Sequence, residues 1–157
     1  MYFLRFFGST SVDKVIDALE HAVQQHDVKL IVLDNLQFMI SGHGGSGPGG
    51  QHMNKFEAQE RALDHFRAFA TKHQVHIVLV MHPRKEAEGL PLTIESISGT
   101  AKASQEADNI IILQKDKDGS KTLEVKKNRF SGDLGAVSLG FNRAAKTFRD
   151  LLAHGDE

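Results

Sequence analysis

At 157 residues, with 40% hydrophobic and 25% charged side chains, the chain has the makeup of one soluble globular domain with a sizeable core. A formal net charge of −1 means that any nucleic-acid binding rests on a local basic patch, and the absence of cysteine excludes disulfides, thiolate metal sites and cysteine nucleophiles. No apolar stretch approaches the roughly 18 residues of a membrane-spanning helix, so no membrane partner is expected.

In chain order, Tyr2-Phe3-Leu4-Arg5-Phe6-Phe7 is aromatic-rich and reads as a strand over 2–7 that enters the fold at once, not as a signal peptide. A chain that opens in mid-architecture is expected to be a piece of a longer protein. Ser9-Thr10-Ser11 offers caps for a helix carrying Val12, Val15, Ile16, Leu19 and Val23 at helical spacing. The next strand covers 29–34 and contains the most informative run of the chain, Leu30-Ile31-Val32-Leu33-Asp34-Asn35. A buried parallel strand reads as continuous apolar residues, and doubly wound α/β proteins bind ligands at its C-terminal end.

Residues 42–52 are a glycine-rich stretch that cannot bury a core, read as a flexible insertion or linker, native or introduced. A long helix is expected over about 53–73, with Phe56, Leu63, Phe66, Phe69 and Ala70 mostly on one side, followed by a second buried strand at 76–81. A polar loop over about 83–97 carries Arg84 and Lys85, and a short helix near 100–107 leads into the strand Asn109-Ile110-Ile111-Ile112-Leu113. The pattern then changes to hairpins. Asp118-Gly119 turns into a strand at 121–129, with short strands at about 136–141 and 146–149. The fold class is therefore α/β: a mostly parallel sheet with helices on both faces and an antiparallel, β-rich C-terminal edge.

Three places attract a chemical reading. Asp34 ends one strand run and His82 another, so the two side chains are expected to face one crevice; a turn residue and a core histidine are the competing readings. Lys127 and Arg129, two apart on a predicted strand, project to the same face. Beside Gly132-Asp133-Leu134-Gly135 they suit a phosphate, and a solvated edge strand is the alternative. Arg84, Lys85 and Lys102, with the backbone around Gly99, are placed to contact nucleic-acid phosphates from loops. None of the nine histidines forms an H-E-x-x-H or similar pair, so no zinc site is expected, and G-x-x-x-x-G-K-[ST] occurs nowhere in the sequence.

Four stretches together resemble the RecA-like helicase domain of ring-forming replicative DNA helicases, the phage primase-helicases and their mitochondrial relatives. They are Asp34-Asn35-Leu36-Gln37-Phe38-Met39, His82-Pro83-Arg84-Lys85, Ala101-Lys102-Ala103-Ser104-Gln105-Glu106-Ala107-Asp108-Asn109 and Lys127-Asn128-Arg129-Phe130-Ser131-Gly132-Asp133. The resemblance spans 1–157 apart from the glycine-rich stretch and implies a truncated RecA-like P-loop NTPase core. By resemblance, Asp34 is the Walker B aspartate that orients magnesium, and His82 couples nucleotide state to the DNA loops. Arg84 and Lys85 lie in one DNA-binding loop, Gly99 and Lys102 in a second, and Gln105 sits between the nucleotide and DNA sites. Arg129 is the arginine finger and Lys127 its companion, both acting on the γ-phosphate held by a neighbouring subunit.

The resemblance also implies ATP and Mg²⁺ as cofactors of an intact parent, single-stranded DNA as partner, a homo-hexamer or heptamer, and a mitochondrial matrix (nucleoid) location, otherwise a cytoplasmic one. The Walker A loop and the catalytic glutamate are absent from these residues and are expected upstream. The chain alone is therefore expected to bind no nucleotide, to bind DNA weakly, and to turn over no ATP. A recombinase fragment and a non-catalytic oligomerisation or DNA-binding module are the alternatives.

Overall fold

Helix α1 (Val12–His26) begins where the sequence supplies its cap: Ser11 is extended, and its Oγ accepts the N–H of Lys14 at 3.4 Å. It ends at Asp27, which turns into the left-handed region at φ 49° and donates its N–H to Val23 O. The computed structural model describes residues 1–5, 10–36, 55–84, 90–97, 101–115 and 119–151. The glycine-rich stretch 42–52 and the site residues Lys85 and Gly99 lie outside them.

The chain divides into two compact units, Met1–His82 with Ser98–Glu106, and Pro83–Ile97 with Ala107–Glu157. In the first unit, β1 (Leu30–Asp34) pairs in parallel with β2 (His76–Val80), so that Ile31 stands opposite Ile77 and Asp34 opposite Val80. Between them in sequence runs α2 (Lys55–His73), which packs on both α1 and β2. The core is made by Val15 and Leu19 of α1, Ile31 of β1, and Ala62, Leu63, Phe66 and Phe69 of α2, all buried. Each large side chain of this set contributes about 1.5–3 kcal/mol by leaving water. One turn of helix, α3 (Lys102–Glu106), packs against α2 and buries Ala103.

The second unit holds an antiparallel meander, β3 (Asn109–Lys115), β4 (Lys121–Asn128), β5 (Gly135–Asn142) and β6 (Thr147–Asp150), in that spatial order. Its first turn uses Gly119 at φ +89°, a conformation that costs glycine little. The loop before β3 is tied to the sheet through Gln114, whose Oε1 accepts the N–H of Leu92 at 2.8 Å and whose Nε2 donates to Glu124 at 2.9 Å.

Several expectations change. The strand over 2–7 does not form across its described part, residues 1–5. A strand needs a partner for its backbone groups, and here the Tyr2 ring stacks on His26 of α1 at 4.3 Å instead. The mostly parallel sheet becomes, among the described residues, a two-stranded parallel sheet and a separate four-stranded antiparallel one. Among the described residues, helices do not cover both faces of β1–β2. Ile31 faces the helices, whereas Leu30, Val32 and Val78 on the opposite face remain 59%, 61% and 40% exposed.

Phe56 is exposed, because the buried stripe of α2 runs instead through Ala58, Gln59, Ala62, Phe66 and Phe69. Arg129 does not share a strand with Lys127. The ladder shifts register between Ile110 and Ile111, and β4 stops at Asn128, whose Oδ1 accepts the N–H groups of Phe130 (3.2 Å) and Ser131 (3.4 Å) and folds the chain into a turn. Among the described residues no helix is long and apolar enough to cross a membrane.

Candidate functional site

The C-terminal ends of β1 and β2 carry the first group of candidate residues. Asp34 is the last residue of β1, exposed, with no ion pair to another described residue. The Asp34–Asn35 peptide is cis, and Leu36, fully buried, anchors the chain immediately beyond it. His82 lies two residues past the end of β2, and its Nε2 is 2.8 Å from Nδ2 of Asn35. With the amide as donor, that contact uses the neutral imidazole with Nε2 as acceptor. Parallel pairing in register brings these two strand ends level, so a hydrogen bond forms between residues 47 apart in sequence. The residue facing His82 across this contact is thus Asn35, next to the expected Asp34.

Lys102 and Gln105 belong to α3 of the same unit. The Lys102 ammonium is held by Asp64 of α2, with Nζ 2.6 Å from Oδ1 and 2.7 Å from Oδ2. The hydrogen bond to Asp64 is the main reason that the Lys102 ammonium is held above its ordinary range; burial opposes it, and the charges of Asp64, Glu60 and Glu106 add to it. Gln105 is exposed, and its N–H donates to Ala101 O at 3.1 Å, which closes the single turn. Lys102 is therefore compensated within the fold and reaches a phosphate only by leaving Asp64.

In the second unit, Arg84 is exposed beside an isolated bridge between Pro83 and Ile97, and its N–H donates to Ser96 O at 2.9 Å. Glu95 follows Thr93, whose hydroxyl lowers the Glu95 carboxyl below its ordinary range, helped by its own backbone N–H and by the Arg84 charge. Lys127 stands opposite the buried Ile110 on β4. Arg129 is fixed in the turn after it: its N–H donates to Asp108 O at 2.9 Å, and its Nη1 lies 3.0 Å from Asp108 Oδ1. The Asn128 amide completes the turn by donating to Ser131 Oγ at 2.7 Å, and Gly132 takes φ +79°.

The partners Asn35, Asp64, Asp108 and Asn128 carry much of this geometry. Sequence reasoning placed Asn35, Asp108 and Asn128 inside the informative stretches without giving them roles. Asp64, on a helix surface far from any motif, carried no signal.

A magnesium nucleotide is what a strand-end aspartate of this kind serves in P-loop proteins. Magnesium demands six oxygens in near-octahedral array and keeps several waters, so one exposed carboxylate suits part of its shell. Triphosphate binding needs a glycine-rich loop of backbone N–H donors and a lysine, and the sequence holds no G-x-x-x-x-G-K-[ST]. The residues present fit the metal side in part and do not fit as a complete nucleotide site.

The described candidate residues thus comprise an acidic strand end, a polar bridge to the next strand end and, in the other unit, a basic turn after β4. Residues 1–88, just over half of the chain and including β1 and β2, match the family model described as an AAA domain, and the chain belongs to that family of helicase-like P-loop ATPases.

Proposed function

We propose that this chain is part of the motor of a ring-forming, ATP-dependent replicative DNA helicase, of the type represented by the mitochondrial helicase Twinkle and the phage primase-helicases. The observation that carries this reading is the Asn35–His82 hydrogen bond, which ties the strand end bearing Asp34 to the segment that runs on into Pro83 and Arg84. A motor must make its DNA-contacting loops respond to the nucleotide, and a polar bridge between adjacent strand ends is a direct physical route for that.

In this scheme Asp34 orients magnesium and His82, with Asn35, relays the state of the site. Gln105 lies between the nucleotide and DNA sides. Arg84, Lys85, Gly99 and Lys102 serve single-stranded DNA, with Lys102 exchanging Asp64 for a phosphate. Arg129, helped by Lys127, acts on the γ-phosphate bound by a neighbouring subunit of a homo-hexamer or heptamer. The 157 residues hold no G-x-x-x-x-G-K-[ST], so this reading takes the phosphate cradle and the water-activating base to be supplied by other residues of the ring. The Twinkle likeness brings a mitochondrial matrix setting with it as part of the same proposal.

Two measurements test it. The chain alone turns over no ATP; turnover that disappears in Asp34→Ala overturns the partial-site reading. In the ring-forming parent, ATP hydrolysis is stimulated by single-stranded DNA, drives unwinding of a forked duplex, and is abolished by Asp34→Ala. Hydrolysis indifferent to DNA, or unchanged in Asp34→Ala, overturns the helicase reading. A non-catalytic DNA-binding module is the second reading, favoured by the missing phosphate-loop sequence, and a parent that never hydrolyses ATP decides for it.

A further inference from the structure

We infer that one open face of the antiparallel sheet binds single-stranded nucleic acid by stacking its bases on Phe141 and Phe148. The register builds this face. Phe141 stands directly opposite Phe148 across β5 and β6, and Leu139, two residues earlier, stands opposite Lys121 of β4. The same alternation places Leu113 and Ile111 of β3 on that side, through the pairs Leu113–Leu123 and Leu123–Val137. The other side of the sheet is the one that buries Ile110 and Ile112.

On the open side Ile111 is 59% exposed, Leu113 50%, Phe141 38% and Phe148 46%, an apolar surface larger than isolated exposed residues explain. The two rings pack at 4.9 Å between centroids, and the Lys121 ammonium lies 4.9 Å from the Phe141 ring centre and 5.7 Å from that of Phe148.

Charge decides what occupies such a face. The register sets Lys115 opposite Lys121 on this side and puts Lys127 and Arg149 on the other. Arg143 and Lys146 sit in the turn that follows the Phe141–Phe148 pair, and neither makes an ion pair among the described residues. Asp150 is the acid that the register sets on this side.

Protein interfaces deplete lysine at their centres. Single-strand sites join aromatic rings to cations, because every base has a stacking face and every nucleotide a phosphate. A base laid against the ring pair brings its phosphate toward Lys121 and the Arg143–Lys146 turn. This site uses none of Arg84, Lys85, Gly99 or Lys102, so it is an additional surface and does not rest on the helicase reading.

The chain has no tryptophan, so Phe148→Trp installs a single tryptophan on the face while keeping an aromatic ring there. Titrating the full chain carrying this change with an oligothymidylate of about 16 nucleotides is expected to quench its emission. Phe141→Leu combined with Phe148→Leu is expected to weaken binding by about tenfold or more, with an unchanged circular dichroism spectrum. An oligouridylate of equal length shows whether RNA or DNA is the better source of bases. Adding Arg84→Ala and Lys102→Ala to Phe148→Trp leaves the quenching in place, which separates this site from the DNA loops.

Unchanged tryptophan emission on oligonucleotide addition, or wild-type affinity in the double leucine variant, overturns the inference. So does an emission shift that follows protein concentration alone, with a dimer in sedimentation, since the face is then a contact between copies of this chain.

Discussion

Arg129 is held to Asp108 at both ends: its backbone N–H donates to the Asp108 carbonyl at 2.9 Å, and its guanidinium Nη1 lies 3.0 Å from the Asp108 carboxylate. The turn set by Asn128 and Gly132 thus presents the guanidinium from a braced backbone. Because the pair is solvent-accessible, with side-chain exposures of 51% and 27%, it is worth at most about 1 kcal/mol to the fold.

Arg129→Ala is therefore expected to shift the urea midpoint of the chain only slightly. Under the proposed function, the same change in the ring-forming parent is expected to abolish ATP hydrolysis while nucleotide binding persists, because a finger acting in trans would stabilise the transition state and not the bound ground state. Arg129→Lys rescues it poorly, since an ammonium lacks the planar, two-pronged donor set. Mixing Arg129→Ala subunits with subunits mutated in the phosphate loop recovers some hydrolysis. Wild-type turnover by Arg129→Ala rings refutes the assignment.

Asn35→Ala tests the bridge to His82. The hydrogen bond contributes about 0.5–1.5 kcal/mol, so the variant folds. Under the proposed function, the parent carrying this change is expected to retain basal hydrolysis and to lose part of the extra hydrolysis provoked by single-stranded DNA, because Asp34 remains while the Asn35–His82 hydrogen bond is removed. Equal DNA stimulation in wild type and variant shows that the bridge carries no coupling.

The Lys102–Asp64 pair makes a prediction in pH. Asp64 raises the Lys102 ammonium above the ordinary lysine value of 10.5. A raised basic group contributes stability that is fully present below 10.5 and is lost as pH rises through its higher folded value. Urea unfolding of wild type and Asp64→Asn is expected to differ most below that point and to converge at more alkaline pH. Asp64→Asn also releases Lys102, so single-stranded DNA binding strengthens at low salt and the gain fades as salt rises. A difference that grows with alkalinity contradicts the pair's role.

Phe66 is 4% exposed in the core between α1, α2 and the parallel strands. Phe66→Ala should cost about 3–5 kcal/mol, read as a lowered urea midpoint, against a small effect for Phe56→Ala at the exposed first turn. Equal costs at the two positions imply that the buried stripe of α2 is misassigned.

Local order was legible in the sequence because it is set by neighbours in the chain. Helical spacing from Val12 to Val23 and the Ser11 cap define α1, the apolar runs at 30–34 and 76–80 define the parallel strands, and hairpin signals after Asn109 define the meander. The sequence also singled out Asp34, His82, Lys102 and Arg129 as residues of interest.

Tertiary structure alone decided what those residues touch. Registering β1 against β2 made Asn35 the partner of His82, packing α3 on α2 gave Lys102 to Asp64, and the side chain of Asn128 ended β4 before Arg129 could share its face with Lys127. Each of these pairings depends on where a distant or turning segment comes to rest, and residue spacing along the chain carries no information about that distance. The same limit hid the open face of the antiparallel sheet, since alternation shows that a strand has two faces but only packing shows which one is covered.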